Sequence, residues 1–203
     1  MGTAISKEGP VADTRIKMTA FLLVCIMLPS SFMPEETVVK WLIINTLVLI
    51  LVLVLQYFIW QKNKFDSVRY YSLQVYILLM SIVFYAIVPL FKILSESIYF
   101  WLIALATIVF IIVAHVLNKR TTLSFVNKDH KNLIKIASVY MGILIFAGVV
   151  LIGMMQTQEA PENTGVTILF YLVGLLFIVL APMFLLTKSE VDKLAKNEVL
   201  SAK

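Results

Sequence analysis

The chain has 203 residues, of which 61% are hydrophobic and only 14% are charged. Soluble globular domains are about 45–50% apolar and about 25% charged, so this composition excludes an ordinary soluble domain and makes lipid the main solvent. The net charge of +5 does not indicate nucleic-acid binding, because the basic residues are concentrated in the segments expected on one side of a membrane.

Six apolar segments predict an all-α integral membrane protein. A span needs about 20 mainly apolar residues to cross the hydrocarbon layer, and the first segment is the shortest, because Pro29 and Pro34 limit it. A secretory signal peptide is the alternative for that segment, but no small-x-small cleavage site follows Leu28. The predicted spans are residues 16–33, 41–60, 70–90, 98–117, 133–155 and 166–187.

The basic residues predict the orientation of these spans. With six spans, one side receives segments 1–15, 61–69, 118–132 and 188–203. Counting the adjacent Lys17 and Lys135, that side carries every basic residue except Lys40 and Lys92, which is 15 of 17. The positive-inside rule therefore predicts a cell-membrane protein with both termini in the cytoplasm and three antiparallel hairpins. The tail 188–203 is expected to prolong the sixth span as a helix. The bias toward lysine, isoleucine and phenylalanine suggests an AT-rich bacterial genome.

Four polar residues within the spans form a candidate vestibule near the cytoplasmic end. Asp, Glu, Lys and Arg are missing from mid-membrane depth, so the polar residues that remain are uncharged or are histidine. The alternative, which we favour, is that these residues make hydrogen bonds between helices, worth about 0.6–2 kcal/mol each. The four residues are Gln56, Gln74, His115 and Ser138.

The sequence gives little support for a disulfide, a catalytic pair or a metal site. The lone Cys25 excludes an internal disulfide, and its predicted depth differs from that of His115, which disfavours a nucleophile–base pair. No metal-binding motif is present, so neither a metal nor a cofactor is predicted. Asn45 has no obvious partner, and Pro89 and Pro182 are expected to interrupt the third and sixth spans.

Small residues predict where helices approach one another closely. Ser138 and Gly142 lie on one face of the fifth span, one helical turn apart, and Gly174 and Ala181 share a face of the sixth. A seam between the fifth and sixth spans is the favoured interpretation, and a homodimer seam is the alternative.

Three classes of function remain open. The favoured class is a non-enzymatic accessory, immunity or scaffold component that binds membrane lipid, a membrane-protein partner or a second copy of itself. The alternative is a small transporter or channel for an apolar or weakly polar solute. The third is an intramembrane enzyme, with Cys25, His115 and tyrosine residues as its candidate groups.

Overall fold

A computed structural model of the chain describes residues 15–33, 37–126 and 164–187, together with 189–193 and parts of 134–153. The described part is helical and contains no strand. Residues 133–155, the predicted fifth span, lie only partly within it, and the predicted tail 188–203 is described only at 189–193.

Six helices with complete bounds can be numbered along the described chain, and helical residues also occur within 134–153 and over 189–193. Four apolar helices are long enough to cross a membrane, namely α2, α3, α4 and the stretch Thr164–Leu185, while α1 is shorter. A nine-residue helix, α5, occupies the start of the predicted basic loop 118–132. The bounds are Ile16–Phe32 for α1, Val38–Lys62 for α2, Ser67–Leu94 for α3, Ile98–Val116 for α4, Asn118–Val126 for α5 and Thr164–Leu180 for α6, which continues as a 3-10 helix over Ala181–Leu185.

The prolines act differently from one helix to another. Pro29 lies inside α1, and Pro89 lies inside α3, which continues to Leu94. The expectation that Pro89 interrupts its helix is therefore wrong, since neighbouring groups in a membrane helix can satisfy the carbonyl that proline leaves without a donor. Pro182 does end the α-helical geometry, because α6 changes to a 3-10 helix at Ala181.

The central helix of the bundle is α3, the most buried of the long helices. It packs against α1 and α2 on one side and against α4 and α6 on the other. The first group contains Leu23, Met27, Leu49, Val52, Ile77 and Tyr85, and the second contains Val83, Ile87, Leu90, Leu94, Ile103, Phe110, Ala114, Tyr171, Leu175 and Ile178.

The start of α3 and the end of the 3-10 helix meet at one end of the bundle. Arg69 donates a hydrogen bond from its guanidinium to the carbonyl oxygen of Leu185 at 2.7 Å. At the same end, the guanidinium of Arg15 lies 4.7 Å from the centre of the Tyr71 ring. These contacts bring the start of α1, the start of α3 and the end of the 3-10 helix together.

The tail does not prolong α6 directly. Leu186 has an extended backbone, and a new helical turn begins with a capping box between Thr187 and Glu190. The Glu190 carboxylate accepts from the Thr187 backbone N–H at 2.8 Å, and the Thr187 hydroxyl accepts from the Glu190 N–H at 3.3 Å. The helix is thus restarted, and the predicted continuation is corrected.

Candidate functional site: a polar seam between three helices

Two layers of buried polar side chains lie along the junction of α1, α2 and α3. We call the junction the polar seam. Its serine layer, beside the connection between α1 and α2, contains Ser30, Ser31, Asn45, Tyr85 and Lys92. Its glutamine layer, toward the turn between α2 and α3, contains Thr19, Gln56 and Gln74.

Hydrogen bonds within the serine layer connect all three helices. The Asn45 amide donates to the Ser31 hydroxyl at 2.8 Å, and that hydroxyl donates to the Met27 carbonyl at 2.9 Å. The Tyr85 hydroxyl donates to the Asn45 carbonyl at 3.1 Å, and the Lys92 ammonium donates to the Ser31 carbonyl at 2.9 Å. The layer therefore fixes how α1, α2 and α3 align along their axes.

The glutamine layer has a smaller set of bonds. The Gln74 side-chain N–H donates to the Thr19 hydroxyl at 3.2 Å, which joins α3 to α1. The Thr19 hydroxyl donates in turn to the Arg15 carbonyl at 3.1 Å. Gln56 is 1% exposed, and neither its Oε1 nor its Nε2 has a hydrogen-bond partner among the described residues.

The spacing of the two layers places Gln56 and Gln74 at one level. Gln56 follows Asn45 along α2 by about three helical turns, and Gln74 precedes Tyr85, the residue that bonds to Asn45, by the same separation along α3. Because the separation is close to a whole number of turns, Gln56 points the same way as Asn45, and Gln74 points the same way as Tyr85. Three turns rise about 16 Å. Since α2 and α3 run antiparallel, both glutamines lie about 16 Å from the Asn45–Tyr85 bond. The same separation before Ser31 leads to Ala20, next to Thr19.

Apolar side chains fill the space between the two layers. Leu23, Met27, Leu49, Val52 and Ile77 are buried and belong to the same packed cluster. The seam therefore alternates from polar to apolar to polar within three packed helices. Asn45 and Gln56 lie on either side of the middle of the 25-residue α2, each about 8 Å from it.

The four residues of the predicted vestibule do not converge on one space. Gln74 bonds to α1, whereas Tyr76, the next residue but one, bonds through its hydroxyl to Nε2 of His115 on α4 at 3.1 Å. The two residues from Gln74 to Tyr76 correspond to about 200° around a helix, so Gln74 and His115 are on opposite sides of α3. Ser138 is exposed, and its hydroxyl donates to the Ile134 carbonyl of its own turn. Only Gln56 and Gln74 of the four lie at one level on the side of α3 that faces α1 and α2.

The predicted packing residues also have different surroundings. A Cβ on Gly174 would lie 3.2 Å from the Ala86 Cβ and 3.5 Å from Ile87 Cγ1, so the close approach is between α6 and α3. Ala181 is also fully buried. At Gly142 no described atom lies within 4 Å of such a Cβ. The expected seam with the fifth span stays a prediction, because that span lies mostly outside the described residues, and the described neighbour of Gly174 is α3.

Residues that the sequence analysis missed complete the seam. Thr19, Ser30, Ser31 and Tyr85 received no role, and Lys92 was assigned to a loop, although it lies within α3 and is 7% exposed. The signal that could have found the seam is the equal spacing, about three helical turns, from Asn45 to Gln56 and from Gln74 to Tyr85.

The candidate reactive groups of the sequence are separated from one another. Cys25 is a free thiol on the exposed side of α1. His115 bonds to Tyr76 and, through Nδ1, to the Ile111 carbonyl at 2.8 Å. Within the described ranges, no group of three or more His, Cys, Asp or Glu side chains is placed to hold a metal ion.

Comparisons with models of protein families, with curated proteins and with solved structures find no match to this chain.

Proposed function

We propose that the chain is a non-enzymatic component of the cell membrane that acts by binding, as an accessory, immunity or scaffold protein. We also propose that it crosses the membrane six times, as three hairpins with both termini in the cytoplasm. Two features support this orientation. Arg15, Arg69 and the restart of the tail helix at Thr187 lie at one end of the bundle, and the sequence distributes its basic residues to the segments at that end.

The observation that carries the binding proposal is that polar side chains inside the bundle make hydrogen bonds between helices. Gln74 bonds to Thr19, and His115 bonds to Tyr76. Each of these bonds joins neighbouring helices, as expected of groups that hold a membrane bundle together. A scaffold needs such a bundle and needs no reactive centre.

The surface of α2 supports the same proposal and indicates which face of the protein binds. Val39, Ile43, Leu47, Leu51 and Phe58 are each more than half exposed and follow one another at helical spacing. In a membrane this apolar face meets lipid tails or the helix of a partner protein, and α2 is the least covered of the four long helices.

Site-specific photo-cross-linking in native membranes tests the proposal. A photoreactive amino acid is placed at Leu47 or Leu51 on the open face, and at the buried Leu23 as a matched control. We expect one discrete cross-linked protein from the α2 positions and none from Leu23. Cross-linking to lipid alone at every exposed position, in membranes from the source organism, would contradict a protein-binding role.

A small transporter or channel is the second candidate, because Gln56 offers an amide inside the bundle that is unbonded among the described residues. Buried polar groups facing a pathway are typical of transporters. Uptake of small neutral solutes by liposomes that contain the purified protein distinguishes the candidates. A rate above that of empty liposomes, abolished in Gln56→Leu, would favour transport over a scaffold.

A further inference from the structure

We propose that the glutamine layer is a binding site for one small neutral molecule that carries a hydroxyl or a primary amide, with water as the smallest member of this class. The inference goes beyond the proposed function and does not rest on it. It begins from Gln56, which is 1% exposed and has no hydrogen-bond partner at either amide atom among the described residues.

The cost of leaving this amide unbonded is the first argument. Burying a polar group without a partner costs about 1–3 kcal/mol in proteins. A leucine at this position would avoid that cost and would match Leu49 and Val52 on the same face of α2. A glutamine with both amide atoms unbonded is therefore expected to satisfy them with a molecule that enters the layer.

The neighbouring side chains are the second argument. The Thr19 hydroxyl accepts from Gln74 and donates to the Arg15 carbonyl, so its proton is already used. The level of Gln56 matches that of Gln74, because each is about three helical turns from the bonded pair Asn45 and Tyr85. A molecule bonded to Gln56 therefore lies beside the Thr19–Gln74 pair, between three helices.

The charge of the surroundings selects a neutral ligand. The sequences of α1, α2 and α3 contain no Asp or Glu, so a cation in this layer would have no carboxylate to balance it. The basic residues nearest to this layer along the chain around the start of α1, Lys17 and Arg15, are both exposed, and the Arg15 guanidinium lies over the Tyr71 ring. A net charge at this depth is costly, whereas a neutral group that hydrogen-bonds is not.

The chemistry of the amide selects the kind of neutral group. Oε1 accepts and Nε2 donates, so the ligand must both donate and accept at adjacent points. A hydroxyl does this with one atom, and a primary amide does it with two. Water and small organic solutes share this chemistry, and the experiment separates them.

Nuclear magnetic resonance of the full chain in detergent micelles tests the site. The protein is labelled with ¹⁵N at its glutamine side-chain amides, and the Gln56 signal is identified by its loss in Gln56→Leu or, independently, in Gln56→Met. Gln61→Leu identifies a matched control, because Gln61 is exposed and its side-chain N–H bonds to the Tyr57 hydroxyl. The probes are water and ¹³C-labelled acetamide.

We expect through-space cross-peaks from the Gln56 amide protons to water or to acetamide. These cross-peaks should have the sign that is typical of a long-lived bound molecule. Gln61 should show only exchange with bulk water. Cross-peaks to water that survive added acetamide assign a hydration site, and displacement by acetamide assigns a solute site; both support the proposal. Cross-peaks from Gln56 to protein protons alone would overturn it.

Discussion

The hydroxyl of Tyr85 donates a hydrogen bond to the backbone carbonyl of Asn45 at 3.1 Å, and this bond joins α2 to α3 deep inside the bundle. Tyr85 and Asn45 are both fully buried. Because Gln56 and Gln74 are each about three helical turns from this pair, the alignment that it fixes also sets the two glutamines at one level.

Removing the Tyr85 hydroxyl should therefore weaken the bundle. We expect Tyr85→Phe to lower the free energy of unfolding in mild detergent by about 0.6 kcal/mol, the average for hydrogen bonds between membrane helices, and by no more than about 1.7 kcal/mol, the largest value measured. Tyr57→Phe is the matched control, because the Tyr57 hydroxyl is exposed and its hydrogen bond, to Gln61, stays within its own helix. Equal stabilities for the two variants would show that the Asn45–Tyr85 bond does not hold α2 against α3.

Glycines in two helices should respond in opposite ways to enlargement. Gly174→Leu forces a side chain against Ala86 and Ile87, so we expect a loss of about 1–3 kcal/mol in unfolding free energy. Gly142→Leu enters open space within the described chain and should change stability by less than about 0.5 kcal/mol. Equilibrium unfolding of both variants measures the difference. Dissociation of an oligomer by Gly142→Leu would instead support the homodimer seam that the sequence left open.

A bond between α4 and α6 offers a test of the second half of the core. The hydroxyls of Thr107 and Tyr171 are 2.9 Å apart, and both residues are buried. We expect Thr107→Val and Tyr171→Phe to be coupled by about 0.6 kcal/mol, the average for such pairs in membranes. The double-mutant cycle measures this coupling. Additive single effects would show that the two hydroxyls stabilise the bundle independently.

The capping box should make the start of the tail helix sensitive to acid. The Thr187 backbone N–H bond, with help from the Thr187 hydroxyl and from the charges of Arg69 and Lys119, holds the pKa of Glu190 below its ordinary value of 4.5. A lowered pKa means that the contribution of the carboxylate is present above the ordinary value and is lost as the pH falls through the lowered one. The protection factors of the Glu190 and Val191 amides, which correct the exchange rates for their intrinsic dependence on pH, should fall in that acidic range in the wild type, and Glu190→Gln should remove this fall.

The long apolar helices could be predicted from the sequence because their signal is local. α2, α3 and α4 each come from a continuous apolar run, and such a run in lipid has few alternatives to a helix. The predicted bounds differ from the observed ones by a few residues at each end, as with 70–90 against Ser67–Leu94. The extension matters, because it places Lys92 inside α3.

The polar seam could not be predicted in the same way, because it depends on which helices are neighbours. Gln74 and His115 were predicted to lie together because their depths along the spans are similar. In the structure they lie on opposite sides of α3. Similarly, Gly174 was expected to face the fifth span, which lies mostly outside the described residues, because a small residue indicates a close approach and not which helix approaches. The identity of the neighbour, α3, follows from the packing of the whole bundle.

The orientation of the chain is the most direct test of the proposed membrane component, because the exposed α2 face contacts lipid or a partner helix only if α2 crosses the membrane. Paired reporters, one active in the cytoplasm and the other outside it, are fused after residues 36, 64, 124, 160 and 203. We expect cytoplasmic signals after 64, 124 and 203 and external signals after 36 and 160, because 15 of the 17 basic residues lie on the side that receives both termini. An external signal at residue 203 would contradict six spans with both termini in the cytoplasm.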